Sequence, residues 1–287
     1  MPKKSKSENR KTGVKGDMSP YEYKPGKTIA KTKDPPKSHE RINSHLFCAE
    51  TGMGKTYTAR EILHEQLSHV PEENRFLVCP TFKFDKTLGS YFKNEDLVQE
   101  DMQPHIFIPA LLQLIEKDRD EIYEKHHYKF DKKGNKVKIP RKPDTEPYRE
   151  YVLMLDDCIE YLGAGKQSIK NITLLFTKNR HYLLHLLVCM QYYKSAHPCI
   201  RNNARQIYLW QTNLSEMNKI CDEQNYVGDR EEFKRYFAYI TKPKYSYFHI
   251  NNKKRGRNRY ENGVSFKDYK TLRDYGELSD SESDDED

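Results

Sequence analysis

Eight residues constrain this chain more than any other stretch: Ala49-Glu50-Thr51-Gly52-Met53-Gly54-Lys55-Thr56. They follow an apolar run, Leu46–Cys48, and precede Thr58–His69, where Ile62, Leu63 and Leu67 fall on one helical face. Glycine at 52 and 54 lets the backbone turn so that consecutive N–H groups face inward. A loop of that kind feeding a helix N-terminus is a ready anion site, because the first-turn N–H groups are free and carry partial positive charge. The pattern is the P-loop, with alanine in place of its first glycine. It predicts a strand–loop–helix unit in which residues 49–56 and Tyr57 surround the phosphates of ATP. Lys55 is expected to reach the β- and γ-phosphates, and the Thr56 hydroxyl to ligate Mg²⁺.

A second element makes a glycine-rich turn without function a poor explanation of the first. Tyr151-Val152-Leu153-Met154-Leu155 reads as a buried strand, and Asp156 and Asp157 follow at its C-terminal tip, where open α/β sheets bind ligands. In P-loop enzymes an acid at this point holds Mg²⁺, and a second acid can polarise the attacking water. Asp156 is therefore assigned to the metal and Asp157 to the water. The run Leu183–Met190 is another buried strand, and it ends in Gln191, a residue type able to sense the γ-phosphate or position water. Arg180 stands before that strand and Arg201 after it. Either could neutralise transition-state charge at a neighbouring subunit's nucleotide, and either could equally be a surface ion pair.

The remaining runs, Phe76–Cys79, His105–Ile108 and Gln206–Trp210, also read as short buried strands, with Tyr245–Ile250 as a further strand near the end. Helical patterns lie between them: Pro109–His126, opening on a proline and carrying Leu111, Leu112, Leu114, Ile115 and Ile122, and Ser168–His181. Strands alternating with helices predict an α/β fold with a mainly parallel sheet flanked by helices. Residues 1–40, rich in Lys, Ser and Pro, read as a disordered basic arm, and 41–250 as the ATPase domain. Within that domain 129–149 is a basic surface insertion, while 251–276 forms a basic extension.

Residues 277–287 carry seven acidic residues and no basic one, a disordered acidic tail. The chain's net charge of +7 thus hides a body of +14, which suits a nucleic-acid partner or a lysine-rich surface alike. The six cysteines stand singly, without zinc spacing, and read as reduced. Neither a signal peptide nor an apolar run of transmembrane length is present, so no stable membrane insertion is expected.

Three runs together, AETGMGKT, LMLDDC and NRHYLLHLLVCMQYYKSAHPCIRNN, resemble the poxvirus-type DNA-packaging ATPases of large DNA viruses and virophages, a branch of the FtsK/HerA superfamily. The resemblance spans about residues 41–212. It implies a RecA-like P-loop NTPase core, ring assembly with copies of itself, and ATP-driven translocation of double-stranded DNA into a capsid. It further implies contacts with capsid or portal-vertex proteins, and residence in the viral factory of the host cytoplasm and in the virion. On the same basis Arg180 is the finger acting in trans and Gln191 the sensor, with Arg201 a second fit for the finger. Two other functions share the motifs: a P-loop small-molecule kinase, and a DNA-binding scaffold switched by ATP without translocation.

Overall fold

The computed structural model describes residues 41–83, 86–94, 97–99, 104–139, 149–158 and 165–274. The basic arm and the acidic tail lie outside the described residues, as does the second half of the basic insertion.

The apolar runs become strands because both of their faces are covered. In the strand before the glycine loop, β1 (Ser44–Cys48), Leu46 and Cys48 enter one core while Phe47 and the following Ala49 enter another. The same alternation holds in β6 (Tyr151–Leu155) and β7 (Leu184–Met190). Strands buried on both sides read as continuous apolar runs, which is how these three stand out in the sequence. With β2 (Arg75–Val78), β3 (Val98–Gln99), β8 (Gln206–Leu209) and β9 (Phe248–Asn251) they form a seven-stranded sheet in the order β3-β2-β6-β7-β1-β8-β9. Every neighbouring pair is parallel except β8 with β9. The numbers β4 (Tyr128–Phe130) and β5 (Lys136–Lys138) belong to a separate two-stranded hairpin inside the basic insertion.

One face is covered by α1 (Lys55–Gln66), through Ala59, Ile62 and Leu63, together with Leu88, Tyr91 and Phe92. The larger core on the other face gathers α2 (Pro104–His127), α3 (Gly165–Lys178), α4 (Pro198–Asn203), α5 (Leu214–Gln224), α6 (Arg230–Thr241) and α7 (Phe266–Asp274).

The segment expected as a strand at His105–Ile108 is the first turn and a half of α2, and the helix does not start at Pro109. Ile108, Leu111, Leu112 and Ile115 recur at helical spacing and are all buried, so one continuous helix covers the core. Pro104 occupies the first turn, where its missing N–H costs nothing, and Pro109 sits within the helix at the loss of a single backbone hydrogen bond. The edge strand lies instead at Val98–Gln99.

Residues 251–274 join the main core. Tyr260, Phe266 and Tyr269 are buried with Phe233, Tyr236, Phe237 and Phe248. Tyr236 meets Phe248, Phe266 and Tyr269 at ring-centroid separations of 5.3, 5.3 and 5.2 Å, within the range of favourable aromatic pairs. The sheet and this aromatic layer therefore belong to one hydrophobic unit.

Candidate active site

The loop after β1 is shaped by its two glycines. Gly52 has φ 83° and Gly54 φ 95°, a left-handed conformation that costs any other L-residue about 1–2 kcal/mol. Ala49 is not among the positive-φ residues; it is buried and extends the β1–β7 ladder by donating its N–H to Met190 O at 3.1 Å. Alanine fits there because the loop bends only after it. Gly54 is the N-cap of α1 and offers no side chain to the first-turn N–H groups, and that turn contains no acidic residue. Its positive end is therefore left to an incoming anion.

Lys55, only 6% exposed, folds back across the loop. Its Nζ donates to Ala49 O at 2.6 Å and to Glu50 O at 2.9 Å, so the ammonium is held by two carbonyls at the start of the loop. Glu50 and Thr51 are exposed, Met53 packs on the core beneath, and the exposed ring of Tyr57 lies 4.4 Å from the Arg60 guanidinium.

The hydroxyl of Thr56 brings the two motifs together: Oγ1 donates to Asp156 Oδ2 at 3.0 Å across 100 residues of sequence. Asp156 is 3% exposed, and its Oδ1 has no hydrogen-bond partner among the described residues. Burial, followed by the charge of Asp157, pushes its carboxyl up to about 6, against the opposing hydrogen bonds from Thr56 and the weak thiol donor Cys189 and the charge of Lys55. A buried carboxylate oxygen with no N–H or O–H donor among the described residues, beside a threonine hydroxyl, is an oxygen-donor set that suits a hard divalent cation such as Mg²⁺.

Asp157 diverges from its neighbour. Its φ of 51° turns the chain out of the strand, and its exposed side chain accepts from Thr81 Oγ1 at 3.5 Å. Aspartate tolerates this conformation better than most residues, and such backbone strain clusters at functional sites. Adjacent acids are thus separated into one buried group facing Thr56 and one solvent-facing group.

The sheet order sets the third contact. Because β7 lies between β1 and β6, its tip falls between the loop and the acids. Gln191 follows Met190 directly, half-buried, on that rim.

The two arginines fare differently. Arg180 lies in the exposed turn before β7, at the opposite end of the sheet from the loop. Seven strand residues separate the two ends, about 23 Å at ~3.3 Å per residue, so Arg180 does not reach the phosphate loop of its own chain. Arg201 is 4% exposed and already committed. Its Nε and Nη2 bond Glu223 at 2.8 Å each, and Nη1 donates to Ala196 O. The finger role allowed for Arg201 is therefore withdrawn, since this guanidinium ties α4 to α5 in a bidentate pair.

Two residues that no motif singled out belong to the neighbourhood: Thr81, reaching Asp157 from the turn after β2, and Tyr245, whose ring lies against Gly54. Nothing local marks either one, because each reaches its neighbour only through the sheet order. A cavity of about 270 Å³, lined by Arg41, Asn43, His69, Glu150 and His185 among others, is at the far end of the sheet. Its acid is already engaged, with Glu150 Oε2 bonded to His69 and His185 at 2.8 and 3.1 Å.

No protein-family model matches the chain, and no curated protein does. Solved structures do match. The chain is similar to the genome packaging NTPase B204 from Sulfolobus turreted icosahedral virus 2 in complex with AMPPCP, at 14% identity over 74% of this chain and 94% of that one, with a TM-score of 0.49. It is similar to B204, the DNA-packaging ATPase from Sulfolobus turreted icosahedral virus, at 12% identity over 74% and 93% of the two chains, with a TM-score of 0.49. ATPases 2 and 3 of EssC from Geobacillus thermodenitrificans match at 13% identity over 63% of this chain and 34% of that one, with a TM-score of 0.43.

Proposed function

We propose that the chain is a magnesium-dependent ATPase that drives double-stranded DNA into a viral capsid as a ring of identical subunits. The observation that carries the hydrolytic part is the Thr56–Asp156 contact at 3.0 Å, which joins a phosphate loop to a buried acid with an unpartnered oxygen. Thr56 and Asp156 would hold Mg²⁺, and the ion, when bound, would supply charge neutralisation along the phosphates. Lys55 moves its ammonium from the loop carbonyls onto the β- and γ-phosphates. Asp157, solvent-facing, accepts the proton of the attacking water, while Gln191 orients that water from the tip of β7. Arg180 serves the nucleotide of the adjacent subunit, the arrangement that its distance from its own loop favours.

DNA as the partner is supported by the body charge of +14 and by the resemblance of the three sequence runs to packaging ATPases. The same resemblance supports capsid or portal-vertex proteins as further partners, and the viral factory and virion as locations. No helix among the described residues is long and apolar enough to cross a membrane.

The test is Mg-ATP turnover with and without duplex DNA, for the wild type and Lys55→Ala. Turnover that rises with DNA and vanishes in the variant is expected. Turnover indifferent to duplex DNA would leave a kinase or an ATP-switched scaffold as the better reading. Images with duplex DNA and an ATP analogue should contain closed rings.

A further inference from the structure

Tyr245 combines three properties that burial in a core does not account for. First, it stands beside the phosphate loop: a Cβ placed on Gly54 would lie 3.7 Å from the Tyr245 ring carbon Cδ1. Second, its backbone is held in the left-handed region at φ 68°, which is unfavourable for a tyrosine. The conformation is fixed from both sides. The indole Nε1 of the fully buried Trp210 donates to Tyr245 O at 3.1 Å, and Ser246 N–H closes a turn onto Pro243 O at 3.0 Å. Third, the residue so positioned remains 54% exposed. An aromatic ring aimed by its backbone and left open to solvent is prepared to cover something else.

The sheet order indicates what that is. Asp156, Asp157 and Gln191 stand at the ends of β6 and β7, to one side of β1. Tyr245 precedes β9 and is fastened to Trp210, the residue after β8, on the other side of β1. A triphosphate in the loop with its γ-end toward the acids must run past Lys55 and Thr56 and deliver its sugar and base on the β8–β9 side. The Lys244 ammonium lies over one face of the Tyr245 ring, 4.9 Å from its centroid, so a base stacks on the other face or displaces it.

We propose that Tyr245 is the stacking platform for the nucleobase of a bound nucleoside triphosphate. The proposal rests on the nucleotide-site reading above and adds the subsite that recognises the base. Stacking uses the π-face that every base presents, so selection among bases is weak. ATP and GTP should bind within a few-fold of each other by the same reasoning.

Calorimetric titration with Mg-ATP and with Mg-tripolyphosphate, which has the phosphates but no base, tests it on the full chain. Relative to wild type, Tyr245→Ala should lose about 10-fold in ATP affinity and keep its tripolyphosphate affinity. Tyr245→Phe, which keeps the ring, should stay within about 2-fold for both ligands. Tyr245→Ala binding ATP as tightly as wild type would overturn the platform, and so would equal losses for the two ligands, which mark a prop for the loop. In either of those results a Lys55→Ala control that loses both ligands keeps the nucleotide site standing while the platform falls. Wild-type protein that binds neither ligand removes both.

Discussion

At the scale of single residues, the two acids after β6 carry the sharpest expectation. Asp156 is buried against Thr56 and Asp157 is turned outward, so their substitutions should differ in kind. Asp157→Asn should retain Mg-ATP and lose turnover by about 10²-fold, the scale of a lost general base. Asp156→Asn should instead raise the Mg²⁺ concentration needed for binding; equal losses of nucleotide affinity in both variants would refute the division. The placement of the loop, the acids and Gln191 at the strand tips was legible in sequence because each lies within a few residues of the apolar run that presents it. Arg201 was not, since its fate depends on Glu223, which sits on the next helix beyond β8. Truncating Glu223 to alanine leaves a buried guanidinium unpaired and should cost ~3 kcal/mol in denaturant unfolding. Burial by itself would raise the Glu223 carboxyl, but hydrogen bonds from Arg201, Lys219 and Tyr193 outweigh it and hold the group at about 2. A depressed carboxyl stabilises the fold above its ordinary value of 4.5 and ceases to as the pH drops toward about 2. Glu223→Gln should therefore flatten the loss of stability over that acid range.

At the scale of elements, legibility followed burial. Strands covered on both faces announced themselves as unbroken apolar runs, whereas His105–Ile108 misled because four apolar-rich residues fit a strand and a buried helix turn equally well. The length of the amphipathic pattern beyond Pro109 was the better guide, and the proline obscured it. The last third of the chain held readable signals of another kind. Asn213 accepts from Glu216 N–H at 3.0 Å and Asp229 from Glu232 N–H at 2.7 Å, both within Asn/Asp-x-x-Glu patterns that mark helix starts. Apolar periodicity in α5 and α6 is interrupted by charges, so caps rather than stripes give their boundaries. Asn213→Ala should cost about 1 kcal/mol of stability, read as a lowered Tm, because the N-cap acceptor of α5 is removed. A Tm unchanged by that substitution would mean that Glu216, which also accepts from Lys194 N–H at 2.9 Å, anchors the helix alone.

At the scale of the whole molecule, the proposal requires neighbours. Mixing Arg180→Ala subunits with Lys55→Ala subunits should restore part of the turnover that each lacks, because some interfaces then pair an intact arginine with an intact lysine. No recovery at any ratio, with assembly verified by sedimentation, would exclude an arginine acting in trans. The path of β7 gives this experiment a mechanical counterpart. Arg180 stands at one end of that strand and Gln191 at the other, and the strand is bonded on both flanks, to β1 and to β6. A strand bonded on both flanks moves with its sheet rather than within it. In the proposed ring, a displacement at Arg180 by chemistry in one subunit would reach Gln191 of the next site through movement of the sheet as a body. Firing order around the ring could then be set by the stiffness of the sheet, without a hinge or a moving lid.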